Sequence, residues 1–207
     1  MRQRWLMTSL ALACGAVMGL AAQGGQGQAG GRQGGGGQGG GRGPAAPQMM
    51  LTSTAFESGG PGPAKYACSA DPANVSPPLE WSNVPEGTQS LALIMIDLNY
   101  RPGRGVQPFL HWMVWNIPAS VKSLPEGVPA TSPLDNGAIQ FLAKGRGGVV
   151  GYRSPCPPAG AVHHYVFQLF ALDTKLDLPA TATRDEVEQA MAKHVLGQGV
   201  LVGRFSR

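Results

Sequence analysis

The sequence is poor in charge. Only 14% of its 207 residues are Asp, Glu, Lys or Arg, and no acidic residue precedes Met50. Four basic residues do: Arg2, Arg4, Arg32 and Arg42. From Met50 onward, twelve basic residues stand against twelve acidic ones, so the formal net charge of +4 belongs to the N-terminal stretch. A nucleic-acid surface concentrates Lys and Arg on one face. A neutral remainder without such a cluster excludes nucleic acid as an expected partner. Cysteine is also scarce, with only Cys14, Cys68 and Cys156, and no CxxC spacing that would suggest a zinc site. The GxSxG nucleophile elbow and the HExxH metalloprotease motif are both missing.

Glycine and proline, by contrast, are plentiful, with 31 and 18 residues. The glycines crowd in ahead of Met50. Arg2 and Arg4 form a positive start, Trp5 to Leu20 is apolar, and Gly19 with Ala21 fits a small-x-small cleavage rule. The expectation is a cleaved secretory signal over residues 1–21, with a periplasmic or secreted product. A membrane anchor is the competing reading, but it needs about 20 consecutive apolar residues, and this run is shorter. The mature form is therefore expected to have no transmembrane segment. A lipoprotein signal at Cys14 is weaker, because Ala11 stands where a bulky aliphatic residue is usual. Residues 22–48 are Gly/Gln-rich with nothing large to bury, so a disordered linker is expected there. Residues 49–207 form the expected domain. Cys68 and Cys156 remain after cleavage and could pair in an oxidising compartment. They could equally be separate buried thiols.

Within the domain, Leu51 to Phe56 reads as a first strand. Ser90 to Ile96 is a dense aliphatic run suited to a strand buried on both faces. Phe109 to Ile117, Val162 to Leu172 and Gly199 to Phe205 read as further strands. Thr183 and Glu186 form a capping-box pattern at the start of one helix. Its apolar face would be Val187, Ala190, Met191 and Val195, with His194 on its exposed side and Gly197 as its stop. Many strands and one late helix argue for an antiparallel β architecture.

Four segments carry a more specific signal: Cys68 to Trp81, CSADPANVSPPLEW; Ser90 to Asp97, SLALIMID; His111 to Pro118, HWMVWNIP; and Gly151 to Phe167, GYRSPCPPAGAVHHYVF. In this order and spacing, the domain resembles the phosphatidylethanolamine-binding protein family in its bacterial Raf-kinase-inhibitor-like branch. The resemblance implies a mainly β fold: a large central antiparallel sheet packed on a smaller sheet, with a C-terminal helix. It also implies a shallow pocket for a small anion or a phospholipid headgroup. Carried over residue by residue, the pocket would use Asp97, His111, His163 and Tyr165, with Pro155, Cys156, Pro157 and Pro158 as a rigid rim. A protein partner, such as a kinase or protease regulated by the domain, is implied as well. No cofactor is.

The chemistry of these residues fits that expectation, since imidazole and phenol donate hydrogen bonds to anionic oxygens. Each has a plainer reading too. A lone His on a strand is usually packed or solvated, and Trp112 and Trp115 read as core. His164 should face away from His163. Asp71 and Asn74 should shape a turn. One run departs from the family's usual Asp-Pro-Asp-x-Pro: here it is Asp97-Leu98-Asn99-Tyr100-Arg101-Pro102. The loss of an acid and the gain of Arg101 and Arg104 predict a site at least as receptive to anions as the family norm. Binding without catalysis is the expected activity. The alternative is a metal-dependent or acid/base hydrolase built on the same Asp97, His111 and His163 cluster.

Overall fold

The computed structural model describes residues 48–70, 72–103, 105–143, 148 and 150–207. The expected signal at 1–21, nearly all of the linker at 22–48, Asp71 and Arg104 lie outside the described residues. Among the described residues, no helix is long and apolar enough to cross a membrane.

Five strands form the large sheet: β3 (Ser90–Asp97), β4 (Phe109–Pro118), β6 (Ile139–Gln140), β7 (Val162–Leu172) and β8 (Val195–Ser206). Their order is β6-β4-β3-β7-β8, and every neighbour is antiparallel. Three short strands make the second sheet in the order β1-β2-β5: β1 (Met50–Thr52), β2 (Leu79–Ser82) and β5 (Ser123–Leu124). The expected two-sheet β fold is present, followed late in the chain by the short helix α1 (Arg184–Met191).

Strand periodicity divides the apolar residues between two cores. Leu91, Leu93 and Met95 of β3, with Tyr165, Phe167 and Leu169 of β7, face the small sheet and meet Leu51, Leu79 and Trp81. Ala92, Ile94 and Ile96 point the other way, onto Val187 and Met191 of α1. This is why every residue of β3 is buried and its sequence runs apolar without alternation. Trp112 and Trp115 are both core residues, one in each cluster.

Three boundaries differ from expectation: the end of the first strand, the end of the helix, and the start of the last strand, which is Val195 rather than Gly199. The first strand stops at Thr52 rather than Phe56. Beyond it the Ser53 hydroxyl donates to the Pro78 carbonyl and accepts from the Ala55 amide, which turns the chain out of the ladder. The helix begins as predicted, with Thr183 and Glu186 forming a complete capping box. It ends at Met191, however, because β7 claims the following residues for β8 from the Leu172–Val195 pair onward. His194 therefore lies in the turn after the helix, its Nδ1 2.7 Å from Asp173 Oδ1. Gly197 does not stop the helix. It lies in β8 under Pro85, where an added Cβ would stand 2.7 Å from the proline ring.

Candidate functional site

The site forms where β3, β4 and β7 end on the face shared with the small sheet. Asp97 closes β3, directly opposite Phe109 of β4 and Tyr165 of β7. His163, two residues before Tyr165, shares its face. His111 arrives by a different device. Met95 pairs with Trp112 and Ile96 pairs with Leu110, so His111 is an extra residue in a β-bulge. Strict alternation would put His111 and Trp112 on opposite faces. The bulge lets Trp112 fill the inter-sheet core while His111 lines the cavity beside Tyr165.

These side chains enclose a cavity of about 460 Å³ lined by Asp97, His111, Arg153, His163 and Tyr165, with Tyr100 and Phe109 among its other walls. His163 Nδ1 donates to Asp97 Oδ2 at 2.7 Å, and the Asn99 amide donates to Asp97 Oδ1 at 2.8 Å. Both carboxylate oxygens are thus engaged, and the His163 ring is held with Nε2 as its remaining polar atom. His111 Nδ1 lies 2.9 Å from the Arg153 carbonyl, which can only accept, so Nδ1 carries the proton and Nε2 remains. Burial is the foremost influence on His111 and pushes its pKa below 6.5; the hydrogen bond to the Arg153 carbonyl and the Asp97 charge oppose that shift. The ring is therefore neutral at neutral pH.

Tyr165 is fully buried between the two imidazoles. Its ring is 4.9 Å from His111 edge-to-face and 6.4 Å from His163 in a stacked arrangement. Burial first, and then the Asp97 charge, raise its pKa, so it stays a neutral donor. Its hydroxyl lies near the Asp97 carboxylate and the Cys156 backbone, both of which influence its pKa, but it makes no well-formed hydrogen bond to any described residue. The other such buried side-chain atom, Trp115 Nε1, belongs to the opposite core.

The rim is the segment 153–158. The Ser154 amide donates to Asn74 Oδ1 and its hydroxyl accepts from the Asn74 amide, and Asn74 itself turns the chain at φ 62°. Cys68 and Cys156, whose pairing the sequence left open, are joined by a disulfide. The Cys68 amide also donates to the Pro155 carbonyl at 2.9 Å. The expected rim prolines are only partly in place. Pro158 lines the cavity with Cys156, but Pro155 and Pro157 are buried behind the loop. Arg153, Ser154, Cys156 and Pro158 line the cavity, and the two prolines between them do not.

Arg101 also departs from expectation. Its guanidinium donates to the carbonyls of Leu98 and Val106, bracing its own loop, and it does not line the cavity. Arg153 does, with its guanidinium 5.2 Å from the Phe109 ring centroid. It went unnoticed in the sequence although it stands inside the Gly151–Phe167 segment. His164 faces away as expected, its ring near Asn99 Oδ1. Among the described residues, no three His, Cys, Asp or Glu side chains converge closely enough to hold a metal ion.

Residues 52–206 match the family described as phosphatidylethanolamine-binding protein. The chain belongs to that family. A relative named as a UPF0098 protein in Methanothermobacter thermautotrophicus is 43% identical over 159 residues, covering 77% of this chain and 99% of the relative. A UPF0098 protein of Aquifex aeolicus is 38% identical, covering 77% of this chain and 89% of the relative. Among solved structures, a phosphatidylethanolamine-binding protein homologue of Chlamydia trachomatis superposes with a TM-score of 0.66 at 36% identity, covering 77% and 98% of the two chains. YbcL of E. coli, described as a member of the mammalian family, gives a TM-score of 0.64 at 26% identity, covering 78% and 99%.

Proposed function

We propose that this family member is an exported binding protein. Its guest is a small anion, either free phosphate or the phosphoryl group of a lipid headgroup. The observation that carries this reading is the Tyr165 hydroxyl, buried and unpartnered at the cavity floor between two imidazoles. Leaving a buried donor unsatisfied costs about 1–3 kcal/mol. An anionic oxygen at that point would accept from Tyr165 and recover the cost. After the Nδ1 bonds, Nε2 is the ring atom that His111 and His163 have left, and an adjacent anion favours the charged, donating form of the His111 ring. The Arg153 side chain supplies the permanent positive charge at the rim.

The Asp97 charge works against an anion in the cavity, and the hydrogen bonds it accepts from His163 and the Asn99 amide offset part of that effect. Export is supported by the Cys68–Cys156 disulfide, a bond that persists in oxidising compartments.

Calorimetric titration of the full chain with inorganic phosphate and with phosphoethanolamine tests the reading. Saturable one-to-one binding, weakened in Tyr165→Phe, is the expected result. No saturable binding of either compound would sink it.

A further inference from the structure

β8 is an edge strand of the large sheet, and only part of its outer edge is covered. The Val202 carbonyl accepts from the Gly59 amide at 2.7 Å, and the Val202 amide donates to Ser58 Oγ. Two residues on, the Arg204 amide donates to the Gly60 carbonyl and the Arg204 carbonyl accepts from the Gly62 amide. Residues 58–62 thus close the C-terminal half. Backbone groups along a strand point alternately to its two edges, so Gln198 and Val200 also turn their amides and carbonyls outward. Among the described residues, none bonds to them.

Proteins blunt such edges with lysine, proline or short strands. The other sheet edges here are short: β5 and β6 have two residues each and β1 has three. The open stretch of β8 has none of these devices. Val195 to Gly203 contains neither a charge nor a proline, and the register shift of the β7–β8 pair lies at its very start. Of the nine large apolar residues exposed among the described residues, Met50, Val195, Leu196 and Val200 stand at β8 or at the adjoining β1. Met50, Gln198 and Val200 line one groove of about 570 Å³. The strand beneath is also held in place. A Cβ on Gly199 would stand 3.1 Å from the Leu51 amide nitrogen, so β1 lies directly against it.

We propose that this stretch is a dimer interface, in which β8 pairs antiparallel with β8 of a second copy about a two-fold axis at Gln198. That axis bonds Gln198 to its own copy through both backbone groups. It sets Val200 beside Leu196 of the partner subunit, and Leu196 beside Val200 of the partner subunit. The stretch reads apolar, Gln, apolar at alternate positions in either direction, which is the self-complementarity a two-fold contact requires. The span fits as well: the pairing uses residues 196–200 and stops where residues 58–62 begin to cover the edge. A foreign extended segment would have to supply the apolar pattern that this chain already carries. The anion cavity lies toward the other end of β8, where Phe205 pairs with His163, so the inference does not rest on the anion reading.

Sedimentation equilibrium of the full chain tests this, at concentrations reaching about 1 mM, the weak end of specific association. The wild type should form a reversible dimer. Gln198→Pro removes an outward amide without breaking a bond to β7, a position where edge strands tolerate proline. Val200→Lys sets a charge against the partner's apolar surface. Each should weaken dimerisation at least about tenfold, with melting temperatures confirming that both fold. Val106→Lys, the same change at an exposed residue of the loop before β4, should leave dimerisation unaltered. Cysteines in a Cys14→Ser background check the register. A hydrogen-bonded antiparallel pair has Cα atoms about 5.5 Å apart, within disulfide range, so Gln198→Cys should cross-link two copies under mild oxidation. Val200→Cys should not, because its copy would lie about 14 Å away along the strands. A monomeric wild type overturns the proposal. So does a dimer retained by either folded edge variant, an open series of larger assemblies, or cross-linking by Val200→Cys in place of Gln198→Cys.

Discussion

Arg153 and His111 are joined twice. The Arg153 amide donates to the His111 carbonyl and the His111 imidazole donates to the Arg153 carbonyl, both at 2.9 Å. One residue of the rim thereby fixes the tautomer of one residue of the floor. It also ties the 153–158 segment to the start of β4 without a strand ladder between them.

That arrangement has a pH signature. His111 titrates below 6.5 in the folded protein because it is buried, while in the unfolded chain it titrates near 6.5. Between the two values, the unfolded state binds more protons, so stability rises with pH through that window and is lost as pH falls through it. Urea midpoints of the wild type should decline from pH 7 to pH 5 more steeply than those of His111→Gln. Asp97, His163, Arg153 and Tyr165 face the same cavity in both proteins, so the difference between the curves isolates His111. Parallel curves would show that His111 is not held neutral.

Tyr165→Phe separates folding from binding. Removing a buried hydroxyl without a partner should leave stability within about 1 kcal/mol of wild type, or raise it slightly. A hydrogen bond to a charged group contributes about 1.5–3 kcal/mol, so phosphate affinity should fall at least about tenfold. Chemical denaturation and calorimetry on the same variant check both halves.

Gln140 is the polar hub behind the site. Its Oε1 accepts from Trp112 Nε1 at 2.7 Å, and its Nε2 donates to the carbonyls of Pro129 and Thr131 at 2.7 and 2.8 Å. Gln140→Leu strands the buried Trp112 indole N–H and two part-buried carbonyls at once, in contact with the residue that follows His111. A loss of about 2–5 kcal/mol is expected, read as a lower urea midpoint with an unchanged slope.

The Cys68–Cys156 bond closes a loop with a sequence separation of 88. A cross-link of that span stabilises by about 2–5 kcal/mol. Cys68→Ser with Cys156→Ser should lower the melting temperature and, because Cys156 lines the cavity, weaken phosphate binding as well. Mass spectrometry of the wild type should show two hydrogens gained on reduction.

Much of this molecule could be read in advance where a single physical requirement governs a stretch of chain. The run SLALIMID is apolar throughout because β3 has a core on each side. Thr183 and Glu186 announce a helix start because its first amides need acceptors near in sequence. The helix end was not readable, since Val195 satisfies a helical face and a strand equally well, and only the free edge of β7 decides between them. Strands β2 and β5 are too short for a periodic signal.

At the site, the motifs marked Asp97, His111, His163 and Tyr165, and the structure brings all four to one cavity. Nothing local announces the bulge at His111, which exists only as a register offset against β3. The same holds for Arg101 and Arg153. Their formal charges are identical, but the distant groups around each guanidinium determine which one reaches the cavity. The resemblance implied Pro155 and Pro157 at the rim, but which side of that segment faces the cavity is set by what packs against it.

Asp97 terminates a strand flanked by long partners on both edges and buried along its whole length. Amide protons along Ser90–Ile96 should accordingly be the slowest in the protein to exchange with deuterated solvent. Local opening then falls outside the central ladder, so Asp97 keeps its place at the cavity floor while the surface loops fluctuate.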